Sequence, residues 1–123
     1  MPSPTVVVAQ KDPDITLQLA NELHAHFSRI VVANDALELR TLLLRHQAQV
    51  AVVDLELVNP EDIRQLAHAF FNLTIVCTHR APDERMWMTA LGAGAVELCY
   101  PQDVRSILRA SRTAIKPPLT VAA

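Results

Sequence analysis

Five short apolar runs alternate with five stretches of helical period from one end of the chain to the other. No other feature restricts the fold as much. Thr5 to Ala9, Arg29 to Ala33, Gln49 to Val53, Leu73 to Thr78 and Ala95 to Tyr100 are rich in β-branched or apolar residues and read as strands. Between them, Asp14 to Phe27 carries Ile15, Leu19, Leu23 and Phe27 four apart, the spacing of one helix face. Asn34 or Asp35 can cap a second helix whose inner face is Ala36, Leu39, Leu42 or Leu43 and His46. Pro60 opens a third helix in the first turn, where a missing N–H costs nothing. Pro82 to Leu91 makes a fourth, ended by Gly92 and Gly94, and Pro101 opens a fifth to about Ile115. Strict alternation of this kind predicts an α/β fold: a doubly wound five-stranded parallel sheet with helices on both faces. The runs at 5–9, 50–53 and 74–77 have the unbroken apolarity that strands buried on both faces require.

The 123 residues are sized for one domain, placed here at 1–115, with 116–123 ("KPPLTVAA") as a tail or the start of a linker. A formal net charge of −2 with no basic block argues against a nucleic-acid surface. Two cysteines, Cys77 and Cys99, do not make a disulfide scaffold and read as buried reduced thiols on neighbouring strands. There is no signal-peptide pattern and no apolar run near the ~20 residues of a membrane span, so a cytoplasmic domain is expected.

In a doubly wound sheet the working site lies beyond the carboxyl ends of the strands. Those ends are Gln10, Lys11 and Asp12; then Asp54; then Thr78, His79 and Arg80; and Tyr100. Asp54, at the tip of the most apolar strand, lies in the middle of that edge.

The order of elements and the stretches "VVVAQKDPD", "VAVVDLEL", "TIVCTHR" and "ALGAGAVELCYP" are similar to those of response-regulator receiver domains (CheY-like), over roughly residues 4 to 115. The resemblance implies a flavodoxin-like, receiver-type fold and a part in two-component phosphorelay signalling, with no enzyme activity of its own. It implies that Asp54 stands at the phosphoacceptor position, served in the family by a histidine kinase. Thr78 stands at the switch-hydroxyl position. The family's Mg²⁺-binding acid pair falls on Gln10 and Lys11, anchored by Pro13, and only Asp12 is acidic there. The family's Lys falls on Tyr100, anchored by Pro101, which makes Tyr100 the second switch position.

Those replacements carry chemical consequences. Phosphoryl transfer needs its developing charge neutralised in fixed geometry, and Mg²⁺ does so through oxygen ligands, carboxylates among them. Gln10 offers a neutral oxygen, and Lys11 brings a positive charge to the cation's place, where its ammonium can pair with Asp54. Tyr100 can donate a hydrogen bond but cannot form an ion pair. The reading is an atypical receiver with impaired Mg²⁺-dependent phosphoacceptance, no catalytic residue, no metal and no cofactor. A phosphorylation-competent receiver, with Mg²⁺ held through Asp12, is the alternative. A small-molecule-binding flavodoxin-like domain is another, and needs a closed pocket at the strand ends. Each residue also has a plainer reading: Asp54 as a turn cap, Lys11 snorkelling into solvent, Tyr100 as a half-buried aromatic.

In receivers the fourth helix, fifth strand and fifth helix commonly meet a partner or a second copy. Here that segment carries Met86, Trp87 and Met88, then Arg105, Arg109 and Arg112, spaced four and three apart on one helical stripe. Trp and Arg are enriched at binding hot spots, so Trp87, Arg105 and Arg109 are the candidate interface for a signalling protein or a homodimer. The opposing reading puts one of Trp87 and Met88 in the core and makes the arginines a solvated face. His24 and His26, two apart, splay to different sides of a helix and do not suggest a shared metal.

Overall fold

The computed structural model describes residues 4–114. Ten elements alternate: β1 (Thr5–Ala9), α1 (Pro13–Leu23), β2 (Arg29–Ala33), α2 (Ala36–His46), β3 (Val50–Asp54), α3 (Pro60–Ala69), β4 (Thr74–Thr78), α4 (Glu84–Ala93), β5 (Glu97–Cys99) and α5 (Val104–Ala114). All strand pairs are parallel, and their order across the sheet is β2-β1-β3-β4-β5. The fold is therefore the doubly wound five-stranded sheet that the alternation predicts.

Period-two alternation divides the core into two layers. Val6, Val8, Val50, Val52, Val76 and Cys99 pack with Leu19 and Leu23 of α1 and Ile107 of α5. Val7, Ala9, Ala51, Val53, Ile75, Cys77 and Leu98 point the other way, against α2, α3 and α4. Every residue of β3 and β4 is buried, which is why these strands read as continuous apolar runs rather than alternating ones. The two cysteines are free and buried, but they do not face each other. Cys77 pairs in register with Leu98, and Cys99 with Thr78, so the thiols sit on opposite faces of the sheet. Burial pushes both up to about 12, which keeps them protonated.

Local chemistry sets the helix starts. Asp12, Asp35, Asn59 and Asp83 cap α1 to α4, each accepting a backbone N–H two or three residues on. Glu38 returns the favour at α2 by accepting from the backbone N–H of Asn34 at 2.8 Å. Gly94 ends α4 with φ 118°, and a Cβ there would stand 2.6 Å from Cβ of Ala67, so both conformation and space require glycine. Gly92 lies inside the helix instead.

Several boundaries differ from the sequence reading. Helix α1 stops at Leu23 rather than Phe27, because the chain turns there to reach β2, yet Phe27 still packs with Leu19 and Leu23. His24 is therefore the helix cap, and His26 lies beyond it. Helix α4 starts after Pro82, at the Asp83 cap. Helix α5 starts at Val104 rather than Pro101, since Asp103 bonds the Ser106 N–H and hydroxyl, an N-terminal arrangement that Pro101 cannot make. The tail 116–123 lies outside the described residues.

Candidate functional site at the carboxyl edge of the sheet

Strand order reverses between β1 and β3, which are neighbours although their following helices lie on opposite faces. The crevice such a reversal leaves is where open α/β sheets place their ligands. Gln10, Lys11 and Asp54 are the residues at that point. Continuing the alternation along each strand, Gln10, Asp54 and Thr78 share the parity of Val8, Val52 and Val76, which face α1 and α5. The topology thus brings three polar side chains from β1, β3 and β4 into one row. All three are buried.

Each member of the row has partners. Asp54 Oδ2 accepts from the backbone N–H of Lys11 at 3.1 Å, and Oδ1 from that of Glu56 at 2.8 Å. Asp54 and Thr78 are register partners on adjacent strands. Thr78 does not bond Asp54. Its hydroxyl accepts from Gln10 Nε2 at 3.0 Å and lies 3.2 Å from Gln10 Oε1, to which it donates. The amide of residue 10 thus reaches past β3 to β4. No buried side-chain nitrogen or oxygen among the described residues lacks a partner.

Of the two readings of Lys11, the ion pair with Asp54 is not formed and the side chain runs into solvent. Lys11 is exposed and takes part in none of the ion pairs among the described residues. It touches Asp54 through its backbone N–H. The reason is geometric: once its N–H points at the carboxylate, the long side chain leaves the crevice for water. Asp12 caps α1 with one oxygen, its Oδ1 accepting from Asp14 N–H at 2.9 Å. Tyr100 is 53% exposed and follows directly on the end of β5.

Glu56, not singled out in the sequence, joins two of the strand-end residues, His79 and Arg80, at the mouth. Arg80 donates twice to Glu56, at 2.9 and 2.8 Å, joining the loop after β4 to the loop after β3. His79 Nε2 lies 3.6 Å from Glu56 Oε1, and its Nδ1 accepts from Ala81 N–H at 3.0 Å. The Arg80 hydrogen bonds hold the Glu56 carboxyl below its ordinary range. The signal was available in principle: Glu56 follows Asp54 by two and Arg80 follows Thr78 by two, and Asp54 and Thr78 are in register.

Beside this edge a groove lined by Leu55, Pro60, His79, Arg85, Met86 and Thr89 holds about 250 Å³, less than the ~300–1,000 Å³ of ordinary small-molecule sites. Among the described residues no group of three or more His, Cys, Asp or Glu is placed to hold a metal ion.

Of Met86, Trp87 and Met88 on α4, Met86 packs partly buried against the core, whereas Trp87 and Met88 are 43% and 62% exposed. Neither is core, contrary to the plainer alternative, because the small residues Ala90 and Ala93 bury the inner face of α4. Trp87 Nε1 donates to Glu97 Oε1 at 2.7 Å, tying α4 to β5. Arg105, Arg109 and Arg112 flank a groove with Leu108 on α5. Val96, Tyr100, Asp103 and Arg109 line another of about 400 Å³ along β5. No helix among the described residues is long and apolar enough to cross a membrane.

No protein-family model matches the chain, and no curated protein matches it in sequence. Solved structures do match in shape. A response regulator from Thermotoga maritima superposes with a TM-score of 0.81 at 22% identity, covering 92% of this chain and 98% of that one. A Burkholderia pseudomallei response regulator, solved with a phosphorylated aspartic acid, calcium ion and citrate, gives 0.79 at 23% identity, over 89% of this chain and 67% of that one. The receiver domain of Francisella response regulator 1452 gives 0.77 at 16% identity, over 90% and 95%. The chain therefore has the fold of response-regulator receiver domains.

Proposed function

We propose that this domain is an atypical receiver of two-component signal transduction. It works by protein–protein contact through α4, β5 and α5, with Mg²⁺-dependent phosphoacceptance at Asp54 impaired. The observation that carries this reading is the state of the buried row. Mg²⁺ needs several oxygens near ~2.1 Å in octahedral array, usually with carboxylates among them. Around Asp54 the candidates are an amide engaged with Thr78, an ammonium carried by Lys11, and an Asp12 carboxylate engaged in capping α1. That donor set does not fit the ion. Without a bound cation or a lysine at position 100, the charge that a phosphoryl group would bring to Asp54 lacks the close neutralising groups of the family, and Arg80, the cation at the mouth, is already paired with Glu56.

One observation favours the phosphorylation-competent reading: Asp54 and Thr78 stand opposite each other at adjacent strand ends. Sedimentation velocity with and without beryllofluoride plus Mg²⁺ separates the two. A donor that does not bind Asp54 supplies no differential affinity and shifts no conformational equilibrium, so the mass distribution stays unchanged. A donor-dependent shift that Asp54→Ala abolishes would establish the competent reading instead.

A further inference from the structure

The Gln10–Thr78 bond has a consequence beyond filling a metal position. Strands β1 and β4 lie on either side of β3, two strand spacings apart, about 9.5 Å. A threonine side chain cannot cross that gap, and the longer glutamine does. Thr78 is fully buried and Gln10 is 6% exposed, so neither can turn to water for a replacement partner. The side-chain contacts of the hydroxyl, at 3.0 and 3.2 Å, are both with the Gln10 amide and none is with Asp54.

Thr78 is also the root of the loop that leads to α4. From it the chain passes His79, whose N–H donates to Cys99 O at 3.1 Å, then Arg80, clamped on Glu56, then the Asp83 cap and Trp87. We propose that Gln10 is a positioning residue: its amide captures the Thr78 hydroxyl and holds the loop between β4 and α4 in one arrangement, whatever the state of Asp54. The proposal rests on the reading above, in which the α4 face does not switch, and names the side chain responsible.

Amide hydrogen exchange at His79, Arg80 and Ala81 tests it, with Trp87 emission as a second readout of α4. Gln10→Ala and Thr78→Val each remove one partner, and both should raise exchange at these amides by about tenfold. The double variant should rise no further, because both changes break one bond. Thr78→Ser keeps the hydroxyl and should stay within about twofold of the parent. Val6 to Val8 serve as the folded reference and should not change. Unchanged loop exchange in either single variant would overturn the proposal. So would a double variant equal to the product of the singles, or a serine variant that behaves like valine. Should Gln10→Ala not fold, the valine and serine variants decide alone. Sedimentation of the parent chain with donor addresses the parent reading separately. A donor response there would sink the constitutive face and with it the independence from Asp54, whereas the exchange pattern by itself decides whether Gln10 holds the Thr78 hydroxyl and the loop in the parent chain.

Discussion

The buried row at the carboxyl edge and the exposed face of α4, β5 and α5 are built on opposite terms. In the row, polar side chains sit where water cannot reach, and each is hydrogen-bonded within the chain. On the face, Trp87, Met88, Val96 and Tyr100 sit in water with apolar surface uncovered. A buried polar group left unpaired costs ~1–3 kcal/mol, so the row is saturated and inward-looking. Exposed apolar area gains by being covered, at about 25 cal/mol per Å², so the face has free energy to gain from a partner. In the reading proposed above, contact with a partner falls to the face, and the row supplies its frame.

The sharpest way to break this contrast is Asp54→Ala. It strips the acceptor from two backbone N–H groups, those of Lys11 and Glu56, and should cost about 2–3 kcal/mol in urea unfolding. Asp54→Asn keeps one acceptor oxygen and should cost less. Tyr100→Ala, at an exposed position, should stay within about 0.5 kcal/mol. Equal losses at positions 54 and 100 would erase the distinction between row and face.

The next effect is on association. Trp87→Ala should weaken self-association or partner binding about tenfold or more if the aromatic is an anchor. Its own stability loss, from the Glu97 bond, should be only about 1 kcal/mol. Arg105→Glu should act mainly through the association rate and its salt dependence. Asp103 lies within reach of the same charges: bonds from Ser106 hold its carboxyl below the ordinary range, with Arg109 and Arg105 adding to them. Unaltered binding in both variants would remove the face from the reading.

The smallest expected effect sharpens the boundary at the mouth of the crevice. Glu56 is ionised more readily in the folded chain than its ordinary value of 4.5, first through the Arg80 hydrogen bonds. A carboxyl with a depressed folded value stabilises the fold above its unfolded value, and that contribution is lost as pH falls through the folded one. Stability should therefore decline on acidification below about 4.5, and Arg80→Ala should flatten that decline. A thermal melting series against pH that is identical in both chains would detach the clamp from Glu56.

Particular residues show where reading the sequence stops. Thr5–Ala9 and Arg29–Ala33 are strands with the predicted bounds, because a run of β-branched residues carries its own local signal. Asp54 was legible as a strand-end acid for the same reason. Phe27 was misplaced in a helix, since its spacing reports which face a side chain covers and not whether the backbone is still helical. For Lys11 the sequence left two readings open, pairing with Asp54 or snorkelling into solvent, because a residue type does not say where its charge goes; here the side chain is exposed and the backbone N–H makes the contact. Cys77 and Cys99 were placed on neighbouring strands correctly, and both were expected to point away from the face of the site residues; Cys77 does, but Cys99 packs on the face of Val52 and Val76, because it is the register partner of Thr78.

What the one-dimensional pattern determined is the class of fold and the set of residues at one sheet edge. Periodicity is local, and strict strand–helix alternation leaves few ways to cover both faces of a sheet. What only the tertiary structure decided is which of those residues meet. Gln10 and Thr78 are 68 positions apart and bond directly, while Asp54, their neighbour in the row, bonds neither side chain. Strand order places them two spacings apart, side-chain length decides that the gap is crossed, and burial requires the hydroxyl to find a partner there. None of these three conditions is a property of any short stretch of sequence.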